Sequence, residues 1–184
     1  MIELIRVSKA YGSKQVLSDL SLRFDSPGMY AVLGSSGQGK TTLLRLIAGL
    51  ERPQSGQITL PKDAKITYCF QEDRLLPWKT ILENVALTAH SEKDARLWLQ
   101  RVGLGEECDA YPASLSGGMK RRAALARALA YGGDILLMDE PFRALDAQTH
   151  ADMLALVREA AKGKLLILVT HDESDAAGMH AVRL

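Results

Sequence analysis

Gly34-Ser35-Ser36-Gly37-Gln38-Gly39-Lys40-Thr41 fits the pattern G-x-x-x-x-G-K-[ST]. It stands between the apolar run Met29 to Leu33 and the helical apolar spacing of Leu43, Leu44, Leu46 and Ile47. The spacing predicts a strand, a glycine-rich loop and a helix that stops at Gly49. In that context the loop is more than a tight turn. Glycines let backbone N–H groups converge on phosphate oxygens, and the helix N-terminus adds partial positive charge. Lys40 then reaches the β- and γ-phosphates of a nucleotide, and the Thr41 hydroxyl is suited to Mg²⁺. Thr42, the next residue, joins the loop as a candidate nucleotide contact.

Two further short strands precede the loop, Ile2 to Val7 and Val16 to Phe24, with the polar turn Tyr11-Gly12-Ser13 between them. After the loop helix, Lys65 to Phe70 reads as a strand and Ile81 through Leu104 as helical. A helix from about Gly118 to Ala130 follows. Ile135 to Met138 and Leu165 to Thr170 then read as buried strands separated by the helical stretch Thr149 to Ala161. This alternation implies a parallel sheet flanked by helices. At 184 residues the chain fits one domain, with no internal repeat.

Ile135 to Met138 ends in Asp139 and Glu140, at the C-terminal edge where ligands of open α/β sheets gather. An acidic pair after a strand is by itself commonly a solvated strand end. Beside a phosphate loop it reads differently, Asp139 for the Mg²⁺ shell and Glu140 to orient or deprotonate the attacking water.

Leu115-Ser116-Gly117-Gly118-Met119 and the Ala- and Arg-rich helix behind it resemble the signature loop and helix of the ABC ATPase family. A serine N-cap with flexible glycines would fit the local residues equally well; the other elements, in family order from Met1 to Leu184, carry the resemblance. Tyr11 resembles the aromatic residue that stacks on adenine, Gln71 the Q-loop glutamine, Ala144-Leu145-Asp146 the D-loop and His171 the switch histidine. The resemblance implies a P-loop NTPase fold of RecA-like α/β type, with an antiparallel N-terminal β subdomain and an inserted helical subdomain. Residues 1–71 and 131–184 would form the catalytic core, and about 72–130 the helical part.

The same resemblance implies ATP hydrolysis with Mg²⁺ by a head-to-tail dimer. Ser116, Gly117 and Gly118 of one subunit would complete the γ-phosphate site of the other. Gln71 would sense the metal and the attacking water, His171 would contact the γ-phosphate, and Asp146 would communicate across the dimer.

The run from Gln71 through Leu75-Leu76-Pro77-Trp78 to Val85 is similar to the Q-loop region of nitrate, sulfonate and taurine importer ATPases. In that group the region receives a permease helix, and an exposed Leu75, Leu76, Pro77 and Trp78 would suit an apolar helix-in-groove contact, although core packing would also explain them. The implied partners are permease subunits, a second ATPase subunit and, indirectly, a solute-binding protein. The implied place is peripheral, on the cytoplasmic face of the inner membrane. Met119 departs from the usual glutamine, and Arg143 from a frequent glycine. The run after His171 is short, so no C-terminal regulatory domain is expected and the closing of the sheet at Ala181 to Leu184 stays open.

Charge argues against other partners. With 23 basic and 22 acidic residues, the balance gives no reason to expect nucleic acid. No stretch approaches the roughly 20 apolar residues of a membrane helix. Cys69 and Cys108 stand apart, without a disulfide or zinc pattern. A non-transport ABC ATPase working on nucleic acid or protein complexes is the alternative function, and a nucleotide-dependent structural dimer is a third.

Overall fold

The computed structural model describes residues 1–184 and resolves into two compact units. One comprises residues 1–68, 134–139 and 163–184, the other residues 69–133 and 140–162. No helix is long and apolar enough to cross a membrane.

The first unit opens with β1 (Ile2–Tyr11) and β2 (Lys14–Phe24), antiparallel from Ile2↔Phe24 to Tyr11↔Lys14. Both strands extend beyond the sequence expectation, because the chain reverses within Gly12-Ser13 alone and the pairing reaches the turn. A strand that the sequence reading missed, β4 (Ser55–Thr59), pairs on the other side of β1, giving the order β2-β1-β4. Its residues show no apolar alternation. Gly56 permits the approach: at φ 84°, a Cβ there would lie 2.3 Å from the Arg6 carbonyl oxygen.

The second sheet has the order β5-β6-β7-β3-β8. It comprises β3 (Gly28–Leu33), β5 (Ile66–Cys69), β6 (Ile135–Asp139), β7 (Leu165–Val169) and β8 (His180–Arg183). β3 lies parallel to β7 and β8, and β6 parallel to β7. Every residue of β6 and β7 is buried, as expected of strands covered on both faces. The sheet does extend to the end of the chain. Ala31↔Ala181 and Val32↔Val182 pair, and the Leu184 N–H donates to the Leu33 carbonyl.

α1 (Lys40–Ile47) buries Leu43, Leu44, Leu46 and Ile47 in a core shared with Ile2, Leu4, Val7, Phe24, Val32, Leu137 and Ile167. It ends where the sequence placed its stop. Gly49, at φ 69°, takes the left-handed position after the cap and donates its N–H to the Leu46 carbonyl.

The second unit is helical. The single stretch expected over Ile81–Leu104 is two helices, α2 (Ile81–Ala86) and α3 (Glu92–Arg101), because Ser91 caps a new N-terminus by accepting from the Asp94 N–H. Thr80 and Glu83 form a reciprocal capping box on α2. α4 (Gly117–Ala130) packs on α2 and α3, Ile81, Val85, Ala95, Leu99 and Leu125 of these helices are buried, and α5 (Ala147–Ala160) completes the unit.

Candidate active site

In the first unit the loop Gly34–Gly39 runs from β3 into α1. Gly39, the residue before the helix, has φ 91°, and a Cβ there would fall 2.8 to 3.0 Å from Leu17 and Val16 of β2. Only glycine fits, and the first N–H groups of α1 stay uncovered by a side chain. Within the loop, Gln38 Oε1 accepts from the Ser35 N–H at 2.6 Å, and Lys40 Nζ donates to the carbonyls of Gly34 at 2.7 Å and Ser35 at 2.9 Å. The Lys40 ammonium is thus anchored over the loop, with Ser36 and Gly37 exposed at its rim. Thr42 is buried one residue further into the helix.

Asp139, 2% exposed, closes β6. Its Oδ1 accepts from Thr41 Oγ1 at 3.2 Å. The parallel sheet therefore brings the loop threonine and the strand-end carboxylate together. Both offer hard oxygen ligands of the kind Mg²⁺ takes.

Tyr11 and His171 lie in the same unit, and both are exposed. The Tyr11 hydroxyl donates to the Glu51 carboxylate, and Lys9 sits 5.2 Å from the ring centroid and 3.1 Å from the same carboxylate. Burial pushes the Glu51 carboxyl up, but the bonds from Tyr11 and Lys9 outweigh it and hold the group below its ordinary value. His171 stands two residues beyond the end of β7, after Thr170. Its flanks are fixed: Thr170 Oγ1 donates to Asp175 at 2.7 Å and accepts from the Asp172 N–H at 3.0 Å.

The second unit carries the remaining candidates. Ser116 caps α4, its hydroxyl accepting from the Met119 N–H at 3.2 Å, so Met119 takes part through its backbone and the substitution leaves this cap intact. Ser116 and Gly117 are exposed, and a Cβ added at Gly118 would meet Leu145 and the Ala144 carbonyl at ordinary contact distance. The signature-like loop and the loop ending at Asp146 are therefore neighbours. Asp146 caps α5 through the Thr149 N–H at 3.0 Å and its hydroxyl at 2.7 Å. Those bonds, the Thr149 N–H first, hold its carboxyl below the usual carboxylate range. Arg143 is exposed in the turn between Glu140 and Asp146.

Gln71 and Glu140 are both half-buried, and Glu140 adopts φ 46°, a left-handed conformation uncommon outside glycine. Their backbone carbonyls share one donor, the Arg121 guanidinium, at 3.1 and 2.7 Å. Sequence reasoning did not single out Arg121. The available signal was position: it stands four residues before buried Leu125 on the inner face of α4, where a charge is unexpected.

Residues 17–143 match the sequence profile described as ABC transporter. The chain belongs to the ABC transporter family. It is an ATP-binding, ATP-hydrolysing member of that family. An aliphatic sulfonates import ATP-binding protein of Paracoccus denitrificans is 45% identical over 180 residues, covering 93% of this chain and 73% of that protein. One so named from Pseudomonas syringae is 43% identical over 184 residues, covering 95% and 68%. A solved dimeric post-hydrolysis state of an ATP-binding cassette bound to ADP and Pi superposes with a TM-score of 0.92 at 31% identity, over all of this chain and 94% of that one.

The ABC subunit displays its most exposed aromatic residue between Gln71 and α2. Trp78 is 70% exposed and Pro77 is exposed, whereas Leu75 and Leu76 are half-buried, so the apolar surface expected there is narrower than four residues. Fully buried Asn84 explains why. Its Oδ1 accepts from the Leu76 N–H at 2.7 Å, and its Nδ2 donates to the carbonyls of Leu76, Lys79 and Thr80 at 3.1, 3.2 and 2.9 Å. That brace draws Leu76 inward and leaves Trp78 at the tip.

Proposed function

We propose that this ABC ATPase drives import of a small organosulfonate-like anion, docking on permease subunits at the cytoplasmic face of the membrane and hydrolysing Mg·ATP between two copies of itself. The observation that carries the reading is the convergence of Lys40, Thr41 and Asp139 at the mouth of the phosphate loop. Relatives named for sulfonate import favour it over a soluble ABC ATPase acting on nucleic acid or protein complexes.

The amides of Gly34 to Gly39 and the N-terminus of α1 bind the phosphates as an anion, and Lys40 exchanges its loop carbonyls for phosphate oxygens. Tyr11 presents an exposed ring to the base. The Thr41 hydroxyl and the Asp139 carboxylate would hold Mg²⁺, with the Gln71 amide a further ligand. When bound, Mg²⁺ supplies charge neutralisation at the phosphate oxygens. Glu140 accepts the proton of the attacking water, and His171 supplies a polar contact to the developing charge. Ser116 and the Gly117 and Gly118 amides of the second copy offer a further anion site at the start of α4, and Asp146 stands beside that loop to report its state.

The Trp78 tip suits an apolar helix of the permease, with Gln71 in the same connecting segment, which links docking to the attacking water. The test is co-purification with the transmembrane subunits, followed by ATPase assay in proteoliposomes with a sulfonate-loaded binding protein. The reading predicts a stable complex whose turnover rises with the loaded binding protein. No complex, or turnover indifferent to every aliphatic sulfonate tried, contradicts it.

A further inference from the structure

Arg121 lies in the second turn of α4 and is 3% exposed. Its Nε donates to the Pro141 carbonyl at 2.9 Å and its Nη2 to the Glu140 carbonyl at 2.7 Å. Its Nη1 donates to the carbonyls of Phe70 at 2.7 Å and Gln71 at 3.1 Å and reaches Asp73 Oδ1 at 3.4 Å. Asp73 is 30% exposed, so carbonyl dipoles carry much of the compensation for burying this cation. The guanidinium is a rigid fork of five N–H donors, and this one spreads them over two chain segments distant in sequence.

Those segments are not arbitrary. One begins with Gln71 and the other with Glu140, whose backbone is held at φ 46°. Strained conformations of this kind persist only where the surroundings over-determine them, and the Arg121 bond to the Glu140 carbonyl is such a constraint. The same helix begins at the Ser116 cap. Nearby arginines do different work: Arg122 donates to the carbonyls of Val102 and Gly103, and Arg127 to those of Asp73 and Arg74.

We propose that Arg121 is a positioning residue for hydrolysis. By fastening the Gln71 and Glu140 peptides to the helix that Ser116 caps, it couples the aim of the Glu140 carboxylate to the seating of that helix against nucleotide. The proposal rests on the assignment of Glu140 above. A lysine at this position keeps the charge but offers a single point of donation, which cannot hold both peptides.

The experiment measures ATP affinity by calorimetry and turnover for Arg121→Lys, alone and in a Glu140→Gln background, with Arg122→Lys as the comparison on the same helix. Thermal melts establish that each variant is folded. Arg121→Lys should lower kcat by roughly ten- to a hundredfold, the scale of a small misplacement of a reacting group, with ATP affinity unchanged. In Glu140→Gln, where no carboxylate remains to be aimed, it should cost less than about twofold in single-turnover rate. Arg122→Lys should keep its kcat.

Wild-type kcat in Arg121→Lys, or an equal loss in both backgrounds, overturns the proposal. If Arg121→Lys does not fold, Arg121→Gln, which buries no charge, is read by the same criteria. Wild-type turnover in Glu140→Gln itself is a separate result; it overturns the assignment of the catalytic carboxylate and the proposal with it.

Discussion

The Thr41 hydroxyl donates a hydrogen bond to the Asp139 carboxylate at 3.2 Å, joining residues 98 positions apart in the chain. Parallel strands make this meeting possible: β3 and β6 flank β7 and end on the same edge, so the loop after one and the carboxylate closing the other share a rim.

Replacing Asp139 with Asn keeps an acceptor for Thr41 and removes the charged oxygen proposed to hold Mg²⁺. The variant should fold normally and lose Mg²⁺-dependent turnover by roughly a hundredfold or more. Magnesium titration of the ATPase rate checks this.

Lys40→Ala removes the ammonium now anchored by the Gly34 and Ser35 carbonyls. The charge-assisted contact proposed between Lys40 and the phosphates is lost, so ATP affinity should fall by about ten- to a hundredfold. Calorimetric titration with ATP measures it directly.

Trp78 and Asn84 should separate docking from folding. Trp78→Ala, at an exposed tip, should change stability by less than about 0.5 kcal/mol yet weaken co-purification with permease subunits. Asn84→Ala should destabilise by about 2 to 4 kcal/mol, because it strands the Leu76 N–H and nearby carbonyls beneath the loop. Urea denaturation and pull-down, run on both variants, tell the two effects apart.

Asp146 offers a pH test. Its carboxyl is depressed by the Thr149 bonds, so its capping contribution is fully present above the unfolded-state value and is lost as the pH falls through the lower folded value. Asp146→Ala should therefore melt below the wild type at pH 7, and the gap should narrow as the pH drops below about 4. Thermal melts across that range follow the gap.

The phosphate loop and its helix were legible in sequence because one pattern fixes chemistry, conformation and context together; Gly39 and Gly49 occupy the backbone positions that only the fold then displays. β6, β7 and α4 were legible from apolar runs and periodicity to within one residue at each end. β4 was not, since Gly56 and the polar residues beside it carry no alternation and the strand exists by pairing with β1. The break between α2 and α3 hid inside a continuous helical pattern, decided by the Ser91 cap.

At the site, Lys40, Thr41 and Asp139 could be named from spacing. Arg121 could not be told from Lys120 and Arg122 by type, because its role comes from carbonyls contributed by segments remote in sequence.

The proposed catalytic carboxylate is Glu140, in an ATPase that acts as a pair. The direct measurement is steady-state ATP turnover of the wild type and Glu140→Gln side by side, with molar mass determined by light scattering in ATP. Glu140→Gln should bind ATP, accumulate as a dimer and turn over at least about a hundredfold more slowly. Wild-type turnover in Glu140→Gln would contradict it.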